Sequence, residues 1–172
     1  MKIIEALKEI KNLRRKLGDI QEKISIYSAD NSTDTPIYEN QKLQIESWLQ
    51  AAEDINKNIL NLSHRIHKTN VNTKMTIEVI DGKPITKSID EWLLRMFNLA
   101  EEDKKTWLSL NVNDSSKTQK YRLPNSSTDV VVTRRLYFDI LKRDKKLEEY
   151  SSEKSKINSK LEIINAITDL LD

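Results

Sequence analysis

Ile3, Ala6, Ile10, Leu13, Leu17, Ile20, Ile24 and Tyr27 stand 3, 4, 3, 4, 3, 4 and 3 residues apart. No other feature constrains the chain as much. An apolar stripe of period 3.5 is the edge of an α-helix that must bury itself against another helix. Gly18 lies inside the stripe at a cost of about 1 kcal/mol against alanine. The period carries on through it, so the spacing predicts one helix over 2–27. A second stripe repeats the step: Ile45, Trp48, Ala52, Ile55, Ile59, Leu62 and Ile66. It predicts a helix over 36–67, opened by Thr35 as N-cap and Pro36 at the first helical position. A short polar stretch joins the two, which suggests an antiparallel hairpin with a left-handed supercoil.

Residues 70–86 leave the helical period. Met75, Ile77 and Val79 alternate with Thr76, Glu78 and Ile80, and Asp81-Gly82 is a hairpin signal, giving a β-hairpin candidate over 75–86. Pro84 confines its return strand to an edge or a short pairing. A third helix is expected over 88–111, carrying Ile89, Trp92, Leu93, Met96, Leu99 and Ala100. Residues 120–133 form a second hairpin candidate around Pro124-Asn125, and the two hairpins are candidates to pair, since a lone ribbon is marginal in water. The last helix is expected over 134–171. Ile140, Leu147, Tyr150, Ile157, Leu161, Ile164 and Leu171 keep heptad spacing, while Arg143, Lys154 and Thr168 take three seam positions. The expected fold is mainly α: one domain over 1–172, an elongated antiparallel helical bundle or coiled coil of about four long helices. One or two short β-hairpins lie at one end.

Composition narrows the function classes. With 2 Gly and 3 Pro, composition disfavours a turn-rich sandwich or barrel and favours long helices. The absence of cysteine removes disulfides, thiolate metal sites and cysteine nucleophiles, and fits a cytoplasmic location. No signal-peptide pattern opens the chain and no run of 18 apolar residues could span a bilayer, so no stable membrane insertion is expected.

Three stretches, in order, resemble a family of small bacterial coiled-coil proteins labelled septicolysin-like. They are the opening Met1-Lys2-Ile3-Ile4-Glu5-Ala6-Leu7, the helix end Leu62-Ser63-His64-Arg65-Ile66-His67-Lys68-Thr69-Asn70, and Ile163-Ile164-Asn165-Ala166-Ile167-Thr168-Asp169-Leu170-Leu171. The middle stretch is similar to a pattern L-x-x-x-I-N-x-T-N, with His67 where the pattern has Asn. The resemblance implies long antiparallel helices with a short β element at the central bend, and no established activity. The family label suggests a haemolysin. Charges within each turn of every long helix argue against a pore former, and a membrane-active or anti-host role is only a third reading.

Candidate chemistry is sparse. His64 and His67, three apart, share one helix face and with Asn70 make a polar motif at a helix end. They lack an identifiable third metal ligand, and a solvated terminus is the simpler reading. Carboxylate pairs such as Glu53-Asp54 and Glu148-Glu149 sit among Lys and Arg, and no Glu-x-x-His, G-x-S-x-G or glycine-rich phosphate loop occurs. Neither a cofactor nor a metal is expected, and the chain is read as a non-enzyme. Residues 117–146 hold nine Lys/Arg, among them Arg122, Arg134, Arg135, Lys142 and Arg143, against three Asp, a net of +6. Trp48 and Trp92 read as core or interface, and Trp107 after Lys104-Lys105 as an edge residue. The leading expectation is a coiled-coil assembly or protein-interaction module: a homo-oligomer, or a binder of a protein partner, acting through helix seams and a β-turn end. The alternative is a binder of nucleic acid or another polyanion through 117–146.

Overall fold

The computed structural model describes residues 1–78, 83–110 and 136–172, together with the backbone at 119–122 and 129–132. The protein is mainly helical. Helix α1 is Ile3–Tyr27 and α2 is Gln41–Asn72. Strands β1 (Lys74–Glu78) and β2 (Pro84–Ser88) form one two-stranded sheet. Then come α3 (Ile89–Leu94), a π-helical turn (Arg95–Leu99) and α4 (Ala100–Leu108). Strands β3 (Gln119–Arg122) and β4 (Asp129–Val132) pair antiparallel as a second, separate sheet, with Gln119 opposite Val132 and Arg122 opposite Asp129. Helix α5 is Ile140–Ile167. The Asp81-Gly82 and Pro124-Asn125 turns lie outside the described residues.

Contacts gather the chain into two compact units. Unit 1 takes Met1–Met75, Ser88–Asp90 and Leu161–Asp172; unit 2 takes Thr76–Lys87 and Glu91–Lys160. In unit 1, α1 and α2 pack as a hairpin along their seams. Burial is deepest near the start of α1, where Ile3, Ala6, Ile10 and Leu13 are buried with Thr69, Met75, Ile89, Leu161 and Leu170. Leu17, Ile20, Ile24 and Tyr27 are only half-buried, as is every seam residue of α2 from Ile45 to Ile66. In unit 2, Ile77, Trp92, Ala100, Glu153 and Ile157 form the buried set.

Four helix boundaries differ from the sequence reading, each for a local reason. Helix α2 starts at Gln41 and not at Pro36. Asn40 is its cap, its Oδ1 accepting from the Leu43 N–H at 3.1 Å. Tyr38 instead turns inward, and the rings of Tyr27, Tyr38 and Trp48 lie 5.4, 5.6 and 5.9 Å apart, an edge-on cluster that closes the hairpin. Gln41 staples the same bend: its Nε2 donates to the Tyr27 carbonyl at 2.8 Å and its Oε1 accepts from the Tyr38 N–H at 3.2 Å. Helix α2 also runs past His67 to Asn72. Thr69 takes the next seam step after Ile66, and its hydroxyl donates to the Arg65 carbonyl at 2.7 Å.

The helix expected over 88–111 is interrupted by the π turn, treated below. The helix expected from residue 134 begins at Ile140, where Asp139 Oδ1 accepts from the N–H groups of Leu141 (2.8 Å) and Lys142 (3.2 Å). It stops at Ile167 because the next residues turn extended and pair with residues 1–3. The buried face of α5 also departs from strict heptads: Glu153, Ile157 and Leu161 are buried while Lys154 is exposed. A straight helix of period 3.6 drifts off a 3.5 repeat within a few turns. No helix among the described residues is long and apolar enough to cross a membrane.

Candidate functional site

Two side-chain constellations stand out, one in each unit. The first is a clasp in unit 1. Lys2 and Asp169 form an antiparallel bridge, the Ile3 N–H donating to the Thr168 carbonyl at 3.0 Å and the Leu170 N–H to the Met1 carbonyl at 2.9 Å. The Lys2 ammonium donates to the Asp169 carboxylate (2.7 Å) and to the Ile167 carbonyl (2.8 Å). The hydrogen bond from Lys2 is the main cause that holds the Asp169 carboxyl below its ordinary pKa. From the other side, Arg65 donates to the Leu171 carbonyl at 3.1 Å and to the Asp172 carboxylate at 2.7 Å, and Lys68 donates to the Asp172 carbonyl. The Thr69 hydroxyl accepts from the Leu171 N–H at 3.0 Å. The three stretches that carry the family resemblance, far apart in sequence, meet here.

The second is a buried ion centre in unit 2, which the sequence reading missed. Arg95 opens the π turn. Its Nε and Nη2 grip the two oxygens of Glu153, the Nη2 bond being 2.9 Å, and its Nη1 donates to Asp103 at 2.7 Å. The guanidinium also lies 5.6 Å from the Tyr150 ring centroid. Glu153 is fully buried, with 0% of its side chain exposed. Burial opposes the Arg95 cation, but hydrogen bonds and attraction from Glu153 and Asp103 outweigh it and hold the pKa above its ordinary value. The π turn explains the geometry. In an unbroken α-helix, residues eight apart point about 80° apart around the axis. One inserted residue unwinds the helix by about 100°, which brings Arg95 and Asp103 to one side. All three guanidinium nitrogens already bind carboxylates, so the arrangement holds helices together and leaves little for a substrate anion.

The residues singled out from sequence fare differently. His64 is exposed. His67 is 65% exposed, with its Nδ1 3.5 Å from Asp90 Oδ1. Among the described residues, no group of three or more His, Cys, Asp or Glu is placed to hold a metal ion. Asn70 is buried and its Oδ1 has no hydrogen-bond partner among the described residues. Lys142 is exposed; Arg143 lies largely covered, donates to Asp144 at 2.7 Å, and keeps a buried Nε without a partner among the described residues. Trp107 is half-buried. The side chains of Arg122, Arg134 and Arg135 lie outside the described residues.

No protein-family model and no curated protein matches the chain. Among solved structures, it is similar to a functionally unknown conserved protein from Corynebacterium diphtheriae. The match has a TM-score of 0.58 at 18% identity and covers 99% of both chains. At that identity the likeness is one of fold.

Proposed function

We propose that the chain is a non-enzymatic assembly module, a coiled-coil protein that joins a second copy or a protein partner through its helix seams and a β-turn end. One observation carries this reading. The seam of α2 is left half-covered along its whole length, and Leu43, Leu49 and Leu60 on the same helix are 60%, 48% and 71% exposed. Burying the exposed part of each such Leu or Ile would contribute about 1–1.5 kcal/mol, and several together drive association. We also propose kinship with the septicolysin-like family, because the three resembling stretches form a single clasp, as a shared structural motif would. A reducing cytoplasm suits a chain without cysteine.

Light scattering behind a sizing column tests the assembly. A stable multiple of 20.1 kDa at low and high salt is expected. Ile59→Asp, placed on the α2 seam, is expected to lower both the mass and the melting temperature. A monomer at every concentration, or an unchanged mass and melt for Ile59→Asp, would overturn the proposal.

A further inference from the structure

The α1–α2 hairpin is electrically two-ended. Residues 1–18 and 55–75, which make its open half, carry ten Lys/Arg against two Glu, a net of +8. Residues 19–54, which make the half around the connecting bend, carry two Lys against eight Asp/Glu, a net of −6. Asp90, Glu162, Asp169 and Asp172 belong to unit 1 as well; even with all four added, the open half stays at +4. The register of the hairpin fixes where the sign changes. Tyr27 lies beside Trp48, their ring centroids 5.9 Å apart, and Ile10 lines a groove with Ser63 and Ile66, so Gly18 lies level with about residue 57. That level is the boundary between the two signs.

Gly18 itself has no reason to be glycine within the protomer. It is exposed, and a Cβ built there would meet nothing within 4 Å. Glycine weakens a helix interior, and its usual use there is to let another backbone come close. On the same face, Leu7, Lys11 and Arg14 line the groove with Ser63 and Ile66, and Leu7 is 44% exposed. Leu60, one turn before Ser63, and Leu49, three turns before Leu60, extend the apolar surface along α2. Arg14 and Glu22 lie four residues on either side of Gly18 and both are exposed. Neither forms a salt bridge among the described residues.

We infer that this face pairs with a second copy of the chain in a two-fold, antiparallel arrangement centred on Gly18, with α1 lying over α1 and α2 over α2. The inference rests on the assembly reading above and names its surface. A two-fold contact is self-complementary, and a hairpin positive at one end and negative at the other meets its own inverted copy with opposite net charge at both ends. Arg14 of each copy then faces Glu22 of the other. The acidic stretch 46–54 of α2 faces the basic stretch 60–68, and Gly18 meets Gly18 at the point of closest approach.

Sedimentation equilibrium on the full chain tests this, with circular dichroism to confirm the fold, since all three positions are exposed on α1. Arg14→Glu and Glu22→Arg are each expected to raise the dimer Kd by at least about tenfold. Combining them should restore it to within about threefold of the parent, because the pair is re-formed with its signs exchanged. Gly18→Leu is expected to raise Kd while increasing helicity. A dimer indifferent to these variants, or a double variant no better than the singles, overturns the pairing and leaves the assembly reading standing. A chain monomeric at all concentrations overturns both. A monomer that binds heparin, and loses that binding in Arg14→Glu, gives the basic half to a polyanion and overturns the pairing too.

Discussion

Arg95 and Glu153 depend on each other in a way that exposed ion pairs do not. Removing one partner strands the other's charge out of water, which costs about 3–5 kcal/mol, whereas replacing both with apolar groups is often neutral. Arg95→Met and Glu153→Leu should therefore each lower stability by about that amount in chemical denaturation, and the double variant should recover most of the loss. A double variant that loses the sum of the two single losses would mean the pair carries no coupling. Asp169 gives a smaller effect with a definite sign. Lys2 lowers its pKa from 3.8, so its contribution is present above the ordinary value and disappears as pH falls through the lowered one. The melting difference between the parent and Asp169→Asn should be present near pH 6 and shrink as the pH falls below 3.8 through the lowered pKa. A difference that persists in acid would show that Asp169 acts through something other than its charge. Neither Arg95 nor Glu153 was legible beforehand. The seam count put Lys154 at the position that Glu153 fills, and nothing in the spacing ties Arg95 to a carboxylate 58 residues away.

At the scale of elements, the sequence speaks clearly where local pattern and tertiary packing agree. Helix α1 begins one residue from where its seam predicts and ends on Tyr27 as expected, because each seam residue from Ile3 to Leu13 has a helix to bury against. Thr35-Pro36 is an equally good local signal, yet the helix ignores it: Tyr38, Gln41 and the aromatic cluster bind the bend more strongly than a proline-led first turn would. The reassigned cap is open to a direct check. Asn40→Ala should cost about 1 kcal/mol of stability, whereas Thr35→Ala, at an exposed position outside any helix, should fall within about 0.5 kcal/mol of the parent. Thermal melts that rank the two the other way would return the helix start to Thr35. The π turn had no sequence signal at all. It sets Arg95 and Asp103 on one side, where the two bond at 2.7 Å, and that pairing belongs to the packed state.

The fold of the whole molecule is woven in sequence: unit 1 is assembled from three pieces of chain and unit 2 from two, and α5 passes from one to the other between Lys160 and Leu161. Heptad counting reads each helix alone, so it could not see this division. The division has an energetic consequence. The Arg95–Glu153–Asp103 centre lies wholly within unit 2, while the clasp and the buried start of α1 lie wholly within unit 1. Loss of the centre should therefore loosen the helices of unit 2 before the rest, as a cooperative sub-global opening. In native-state amide exchange, Glu153→Ala should speed exchange across residues 91–108 and 140–160 by about tenfold or more. Residues 3–13 and 59–72 should keep their protection, since none of their burial or hydrogen bonding involves the altered site. A uniform loss of protection over both sets would instead mean that α5, one continuous helix, makes the two units open together.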